Sequence, residues 1–170
     1  MQPTIISKAE IKLVGMSFYG DPFETSAGWT GENQIGRLWQ RLMAYLTEHG
    51  DEIPNRLPVE ACYEVHVYGP ETMSKGLFEV FVGLQVEQIG SIPVDLLAKI
   101  LPATEYAVFT LDGAQIISDW HLEIGQWIKA AGYQNAHPFS FQYYDERFKG
   151  LDQIETSQLD VYMPVKKAAD

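Results

Sequence analysis

The chain states one order of elements twice, and that repetition limits it to a small set of folds. CYEVHVYG at Cys62–Gly69 precedes FEVFVGL at Phe78–Leu84; much later SFQYYDER at Ser140–Arg147 precedes LDVYMPV at Leu159–Val165. The first strings align Glu64 with Gln142 and His66 with Tyr144, and the second align acidic, valine, aromatic and apolar positions in turn, matching Val80 with Val161. An amphipathic stretch leads into each pair. Ile35, Leu38, Trp39, Leu42, Met43 and Leu46 form a helical stripe around Gly36–His49, stopped by Gly50. Ile117, Trp120, Ile124, Trp127 and Ile128 form the second, within Ala114–Ala131 and stopped by Gly132. β-Prone stretches open both halves, Thr4–Tyr19 as one strand and Leu97–Leu111 as a strand bent near Pro102. Both halves, about residues 1–92 and 93–170, therefore read strand, helix, strand, strand. A degenerate duplication of this kind implies one domain with pseudo-two-fold symmetry, and a crevice where the halves meet.

Charge and cysteine use narrow the function classes. Against 23 acidic residues stand 12 Lys and Arg, a formal net charge of -11. Such a surface repels a phosphate backbone, so direct nucleic-acid binding is not expected. Cys62 is the single cysteine; no internal disulfide can form, and a reducing, cytoplasmic location is expected. The start MQPTIISKAEIK has no apolar signal core and no run reaches membrane-spanning length. His49, His66, His121 and His137 lack metal-ligand spacing, so surface or hydrogen-bonded roles are preferred for each. No nucleophile elbow, P-loop or dinucleotide fingerprint occurs, and neither a cofactor nor a metal is expected.

Strand alternation supplies the candidates. Ser140, Gln142, Tyr144 and Glu146 share one face, with Phe139, Phe141, Tyr143 and Asp145 on the other; Cys62, Glu64 and His66 share a face likewise. That polar face is either solvated or lines the crevice. In the crevice, a partly desolvated Glu64 or Glu146 is a candidate general acid or base, and Tyr144, Tyr63 or Tyr106 could hold a water or ligand oxygen. Trp39, Trp120 and Trp127 are core residues or crevice walls, and Trp29, in a Gly-rich loop, is a lid element or a tucked aromatic. Cys62 reads as a buried strand thiol. Glu155–Asp160 and Lys166-Lys167 read as a solvated turn and tail. EVFVGLQVE would invite a second chain if it lay at a sheet edge, leaving monomer and dimer both open.

Leu38-Trp39, ILPATEYAVFTLDG at Ile100–Gly113, the tryptophan helix Trp120–Ile128, FQYYDERF and DVYMPVK at Asp160–Lys166 carry a family resemblance. The chain resembles the GyrI-like, AraC-type effector-binding domains, related to the drug-binding half of MerR-type multidrug regulators. The resemblance implies an α+β fold in which two βαββ units form one antiparallel sheet with two long helices. It also implies an aromatic pocket between the halves for small apolar, aromatic or cationic molecules, with sensing or sequestration as the role. Trp39, Tyr63, Glu64, Tyr106, Trp120, Trp127, Gln142 and Tyr144 are the expected ligand contacts. The family usually carries a DNA-binding region as well, whereas this domain begins almost at Met1, so a free-standing binder, acting with or without a protein partner, is expected. Gln142 stands where the family commonly has a pocket-floor Glu, and by the repeat Glu64 would take over its charge. Two alternatives stay open: hydrolysis of strained, cyclopropane-bearing electrophiles, as some free-standing relatives perform, and an acidic inhibitor of a basic protein.

Overall fold

Thr4–Tyr19 is two strands. The computed structural model describes residues 1–28 and 30–168; Trp29, read as a lid element or a tucked aromatic, lies outside them. Chain direction breaks at Ala9-Glu10, so that β1 (Thr4–Lys8) pairs with β6 (Thr104–Asp112), whereas β2 (Ile11–Gly20) pairs with β4 (Phe78–Gln85) and β5 (Leu97–Leu101). The same break recurs between β5 and β6 at Pro102, which has no N–H to offer a ladder. With β3 (Cys62–Tyr68), β7 (Tyr133–Asn135), β8 (Phe139–Tyr144) and β9 (Gln158–Lys167), the described residues form one antiparallel sheet. Its order is β1-β6-β9-β8-β3-β4-β2-β5, with β7 added on β9.

That order reads the same outward from the central β8–β3 pair, as a duplication demands. Glu64 and Gln142 face each other across this seam, and the Leu13↔Lys99 pairing of β2 with β5 is answered by Tyr106↔Ile6 between β6 and β1. The ladder corrects one detail of the repeat. Val82 lies opposite Glu64 and Val161 opposite Gln142, so Val161 corresponds to Val82 and not to Val80. A slip of two residues keeps every side chain on its own face, so the apolar pattern could not exclude it. β4 is also no edge, being hydrogen-bonded to both β2 and β3; the edges are β1 and β5.

The connections force the sheet to coil. β1 and β2 are six places apart in the sheet, as are β5 and β6, yet two residues join each pair. Six flat steps would span about 29 Å, whereas such a link reaches about 11 Å at most. The ends of the sheet therefore approach each other around a strand-only cluster containing Leu13, Phe81, Leu101, Tyr106, Phe141 and Tyr162.

The helices cover the other face. α1 (Gln34–His49) buries Leu38 and Leu42 on Val14, Val80 and Val82 of the first half. After β3 the turn Pro70–Gly76 contains a short helix, α2 (Pro70–Lys75), ended by Gly76 at φ 72°. α3 (Trp120–Ala130) buries Trp120, Ile124 and Ile128 on Phe109 and Val161 of the second half. α3 is shorter than its stripe: Gly113–Gln115 is a 3-10 turn, and Ile117 precedes the helix and is 54% exposed. The acidic stretch near residue 160 is not a solvated turn throughout, because Asp160, 8% exposed, sits on β9 and receives Arg147 at 2.6 Å and Thr110 at 2.6 Å.

Asn33, 2% exposed, starts α1. Its Oδ1 accepts the Gly36 N–H at 2.9 Å, and its Nδ2 donates to the Gly28 carbonyl at 2.8 Å, tying the preceding loop to the helix. Asn33→Ala should cost about 1–2 kcal/mol of stability, a melting-temperature loss of about 2–8 °C. Asn33→Asp, which retains the cap but not the donor to Gly28, should lose less; equal losses would show that the cap adds nothing beyond the loop tie.

Candidate functional site

Alternation on β3 sends Tyr63 and Val65 into the strand-only cluster and Glu64 and His66 to the helical face; on β8 it sends Gln142 there too. These residues meet at the central seam. Glu64, 4% exposed, receives the Trp39 Nε1–H on Oε2 at 2.5 Å and the Gln142 amide on Oε1 at 3.1 Å. His66 Nε2 lies 2.8 Å from the same Oε1 and must carry its proton there, because a carboxylate only accepts. The Tyr144 hydroxyl donates to Gln142 Oε1 at 2.9 Å and stands 3.5 Å from Glu64 Oε2. Burial, reinforced by the Glu64 charge, pushes that hydroxyl well above the ordinary phenol range, so Tyr144 stays a donor. The Trp39 ring meets Tyr144 edge-on at 4.9 Å.

Above this cluster opens a cavity of about 1040 Å³, between α1 and the segment that leads into α3. Glu64, His66, Gln142, Tyr144 and Cys62 form its floor; Trp39, Trp120, His121, Phe23 and Phe148 wall it; Met43, Ile117 and Leu151 stand at its mouth. Trp120 is locked by donating Nε1–H to the Ile116 carbonyl at 3.1 Å, and His121 lies on its ring at 3.6 Å. His121 touches the cavity's solvent but is ringed by protein atoms. This desolvation lowers its pKa, the His66 charge adds to the fall, and Asp119 opposes it. Burial raises the pKa of the Cys62 thiol, with Arg56 opposing, so the thiol is a poor nucleophile at neutral pH.

The structure thus gathers Trp39, Glu64, Trp120, Gln142 and Tyr144 of the expected set, and places four others elsewhere. Tyr63 and Tyr106 belong to the opposite face because their odd-even phase on β3 and β6 points them inward. Tyr63 donates to Gln85 at 2.7 Å, and burial raises the Tyr106 hydroxyl to about 12. Trp127 packs on Phe109 at 5.5 Å and Tyr133 at 5.9 Å, about two helical turns along α3 from Trp120 and away from the cavity. Glu146 is exposed beyond the end of β8, where the Asp145–Arg147 turn breaks the alternation. His66 and His121 are the residues that the spacing argument passed over. His66 carried a signal, since it shares a face with Glu64; His121, off the apolar stripe, carried none. Among the described residues no group of three His, Cys, Asp or Glu could hold a metal, and no helix is long and apolar enough to cross a membrane.

Residues 1–166 match the family described as GyrI-like small molecule binding domain. The transcriptional regulator BrlR of Pseudomonas aeruginosa is 30% identical over 169 residues, 97% of this chain; the chain spans 56% of that relative's length. SAV2435, solved bound to tetraphenylphosphonium, superposes with a TM-score of 0.64 at 16% identity, covering 98% of this chain and 94% of that one. A hydrolase encoded by lin2189 of Listeria innocua superposes with a TM-score of 0.58 at 14% identity, covering 97% and 92%. At such identities the two structures establish the fold alone.

Proposed function

The chain belongs to the GyrI-like small-molecule binding domains, and from that premise we propose that it takes up lipophilic, aromatic cations in the cavity over Glu64. The observation that carries this reading is a buried carboxylate held by hydrogen bonds without a Lys or Arg partner. Among the described residues its one ion-pairing neighbour is His66. With His66 neutral, the donors from Trp39, Gln142 and His66 satisfy the oxygens but leave the charge uncancelled. A cation that fills the aromatic walls above would complete the pair, and rings turned toward it would add cation–π attraction. The tetraphenylphosphonium held by SAV2435 belongs to that chemical class. The relationship to BrlR supports a regulatory outcome, in which occupancy is passed to a partner or to an attached DNA-binding region. Sequestration needs no such partner.

The Glu64–His66 hydrogen bond favours a second reading: hydrolysis of a strained electrophilic ligand. The water oxygen bonds to the electrophilic carbon as the strained bond breaks with its electron pair left on the ligand; His66, oriented by Glu64, takes the water proton and returns it there. Tyr144, whose pKa is raised by burial and the Glu64 charge, suits a donor's role rather than a base's, and Glu146 lies outside the cavity.

Tetraphenylphosphonium titrated into the protein should quench tryptophan emission saturably, because Trp39 and Trp120 wall the cavity. At saturation it should slow alkylation of Cys62 by monobromobimane at least about five-fold, since the thiol lies on the floor. Unchanged alkylation at saturation would place the cation elsewhere. An electrophilic ligand consumed in many turnovers, and not recovered intact, would favour the hydrolytic reading.

A further inference from the structure

We propose that His66 sets the charge class the cavity accepts: neutral, it leaves an anionic floor that takes cations; protonated, it cancels Glu64 and leaves a floor for uncharged aromatics. The inference rests on the cavity being the ligand site.

The geometry makes His66 the group that decides. Its Nε2 is 2.8 Å from Glu64 Oε1, and the two side chains are 9% and 5% exposed. Nε2 carries a proton in either state in order to bond the carboxylate, so protonation adds its charge at Nδ1 and leaves the Glu64 contact intact. The floor then changes from one net negative charge to none with no rearrangement of Trp39 or Gln142.

The groups around the imidazole support this assignment. From β3 come Glu64 and Tyr68, whose ring lies 6.5 Å away and whose hydroxyl is engaged with Ser140 of β8 at 3.0 Å. β4 contributes Phe78 at 5.3 Å, which carries no charge. β8 contributes Ser140 and the neutral amide of Gln142. From α1 comes Trp39, and from the start of α3 come His121 and Asp119, both on the cavity wall. His121 feels the His66 charge and its own pKa is lowered, so it stays neutral to lower pH than an ordinary imidazole. Glu64 is therefore the one acidic group in direct hydrogen-bond contact with His66.

The sign follows from linkage: a bound cation opposes protonation of His66, and protonation of His66 expels the cation. The test uses two probes of fixed charge, tetraphenylphosphonium and the neutral N-phenyl-1-naphthylamine. From about pH 8 to about pH 5.5, phosphonium affinity should fall at least about five-fold. Affinity for the neutral probe should change less than about two-fold or rise. His66→Gln retains an amide donor toward Glu64 but cannot titrate, and should flatten the phosphonium profile; His121→Gln should leave the fall in place. A flat wild-type profile, or a fall that survives in His66→Gln, overturns the proposal while leaving the cavity as the binding site. Failure of both probes to bind overturns the site reading together with it. An independent readout covers poor folding of the variant: saturating phosphonium should lower the titration midpoint of the wild-type His66 ring proton, followed by NMR, by about 0.7 unit or more. An unmoved midpoint also overturns the proposal.

Discussion

Glu64→Gln should weaken tetraphenylphosphonium binding about 30- to 100-fold, which corresponds to about 2–3 kcal/mol. Binding of N-phenyl-1-naphthylamine should stay within about three-fold. The substitution keeps the shape of the side chain and an oxygen acceptor for Trp39, but removes the charge that no Lys or Arg among the described residues offsets. The size of the effect follows from burial: at 4% exposure Glu64 acts on a ligand through protein, where unit charges attract several-fold more strongly than in water. Competition titrations at neutral pH check it. Equal losses for the cation and the neutral probe would show that Glu64 shapes the floor without charging it. The variant also puts an amide NH2 where Oε1 accepts from both His66 and Gln142, so a stability loss of about 1–3 kcal/mol accompanies it. Affinities are therefore compared at a temperature where the variant is folded.

Gly15→Ala should destabilise the protein by about 3 kcal/mol or more, through overpacking against backbone. In thermal unfolding this is a drop of about 6–12 °C for a chain of this length. Gly15 of β2 faces Gly83 of β4, and a methyl at Gly15 would stand 2.0 Å from the Val82 carbonyl oxygen and 2.5 Å from the Gly83 Cα. Neither neighbour is a side chain that can swing away, so the ladder itself would have to part. A methyl at Gly83 meets a similar obstacle, with the Val14 oxygen at 2.5 Å and the Phe81 ring at 2.7 Å. The glycine pair is where two strands approach more closely than Cβ atoms allow. A melting temperature for Gly15→Ala within a degree or two of wild type would show that the strands separate there at little cost.

Much of this architecture was readable from residue pattern, because the alternating and helical periods report which face is dry. Val65, Phe141 and Phe139 on one side, and Glu64 and Gln142 on the other, follow from parity alone. The crossing of β1 and β5 into opposite halves was not readable, because a two-residue link gives no sign of which distant strand its ends will join. Parity also misled at Glu146: it holds while the strand lasts, and β8 ends at Tyr144. Tyr63 and Tyr106 were proposed as contacts because of their chemistry, although alternation had already put Tyr63 opposite Glu64. Trp39 and Trp120 could be placed on stripes, but whether a stripe's flank meets core or cavity depends on how far apart the two helices stand, which no local pattern encodes. His121 owes its place to the residues before α3 turning back over the sheet.

The exchange of edge strands has a consequence for how the molecule comes into being. Each half lends its opening strand to the other, so a fragment ending between β4 and β5 would hold β1 without the β6 it pairs with, and β2 without β5. Thr4 must find Val108, across roughly a hundred residues of chain, before that edge can close. Closures of this range cost loop entropy that is recovered only when both ladders are in place, so the two halves are expected to fold in one late, concerted step. Glu64 and Gln142 lie on either side of the seam made in that step. Binding competence would then arrive all at once, and a nascent chain short of β9 would have no cavity with which to capture a cation.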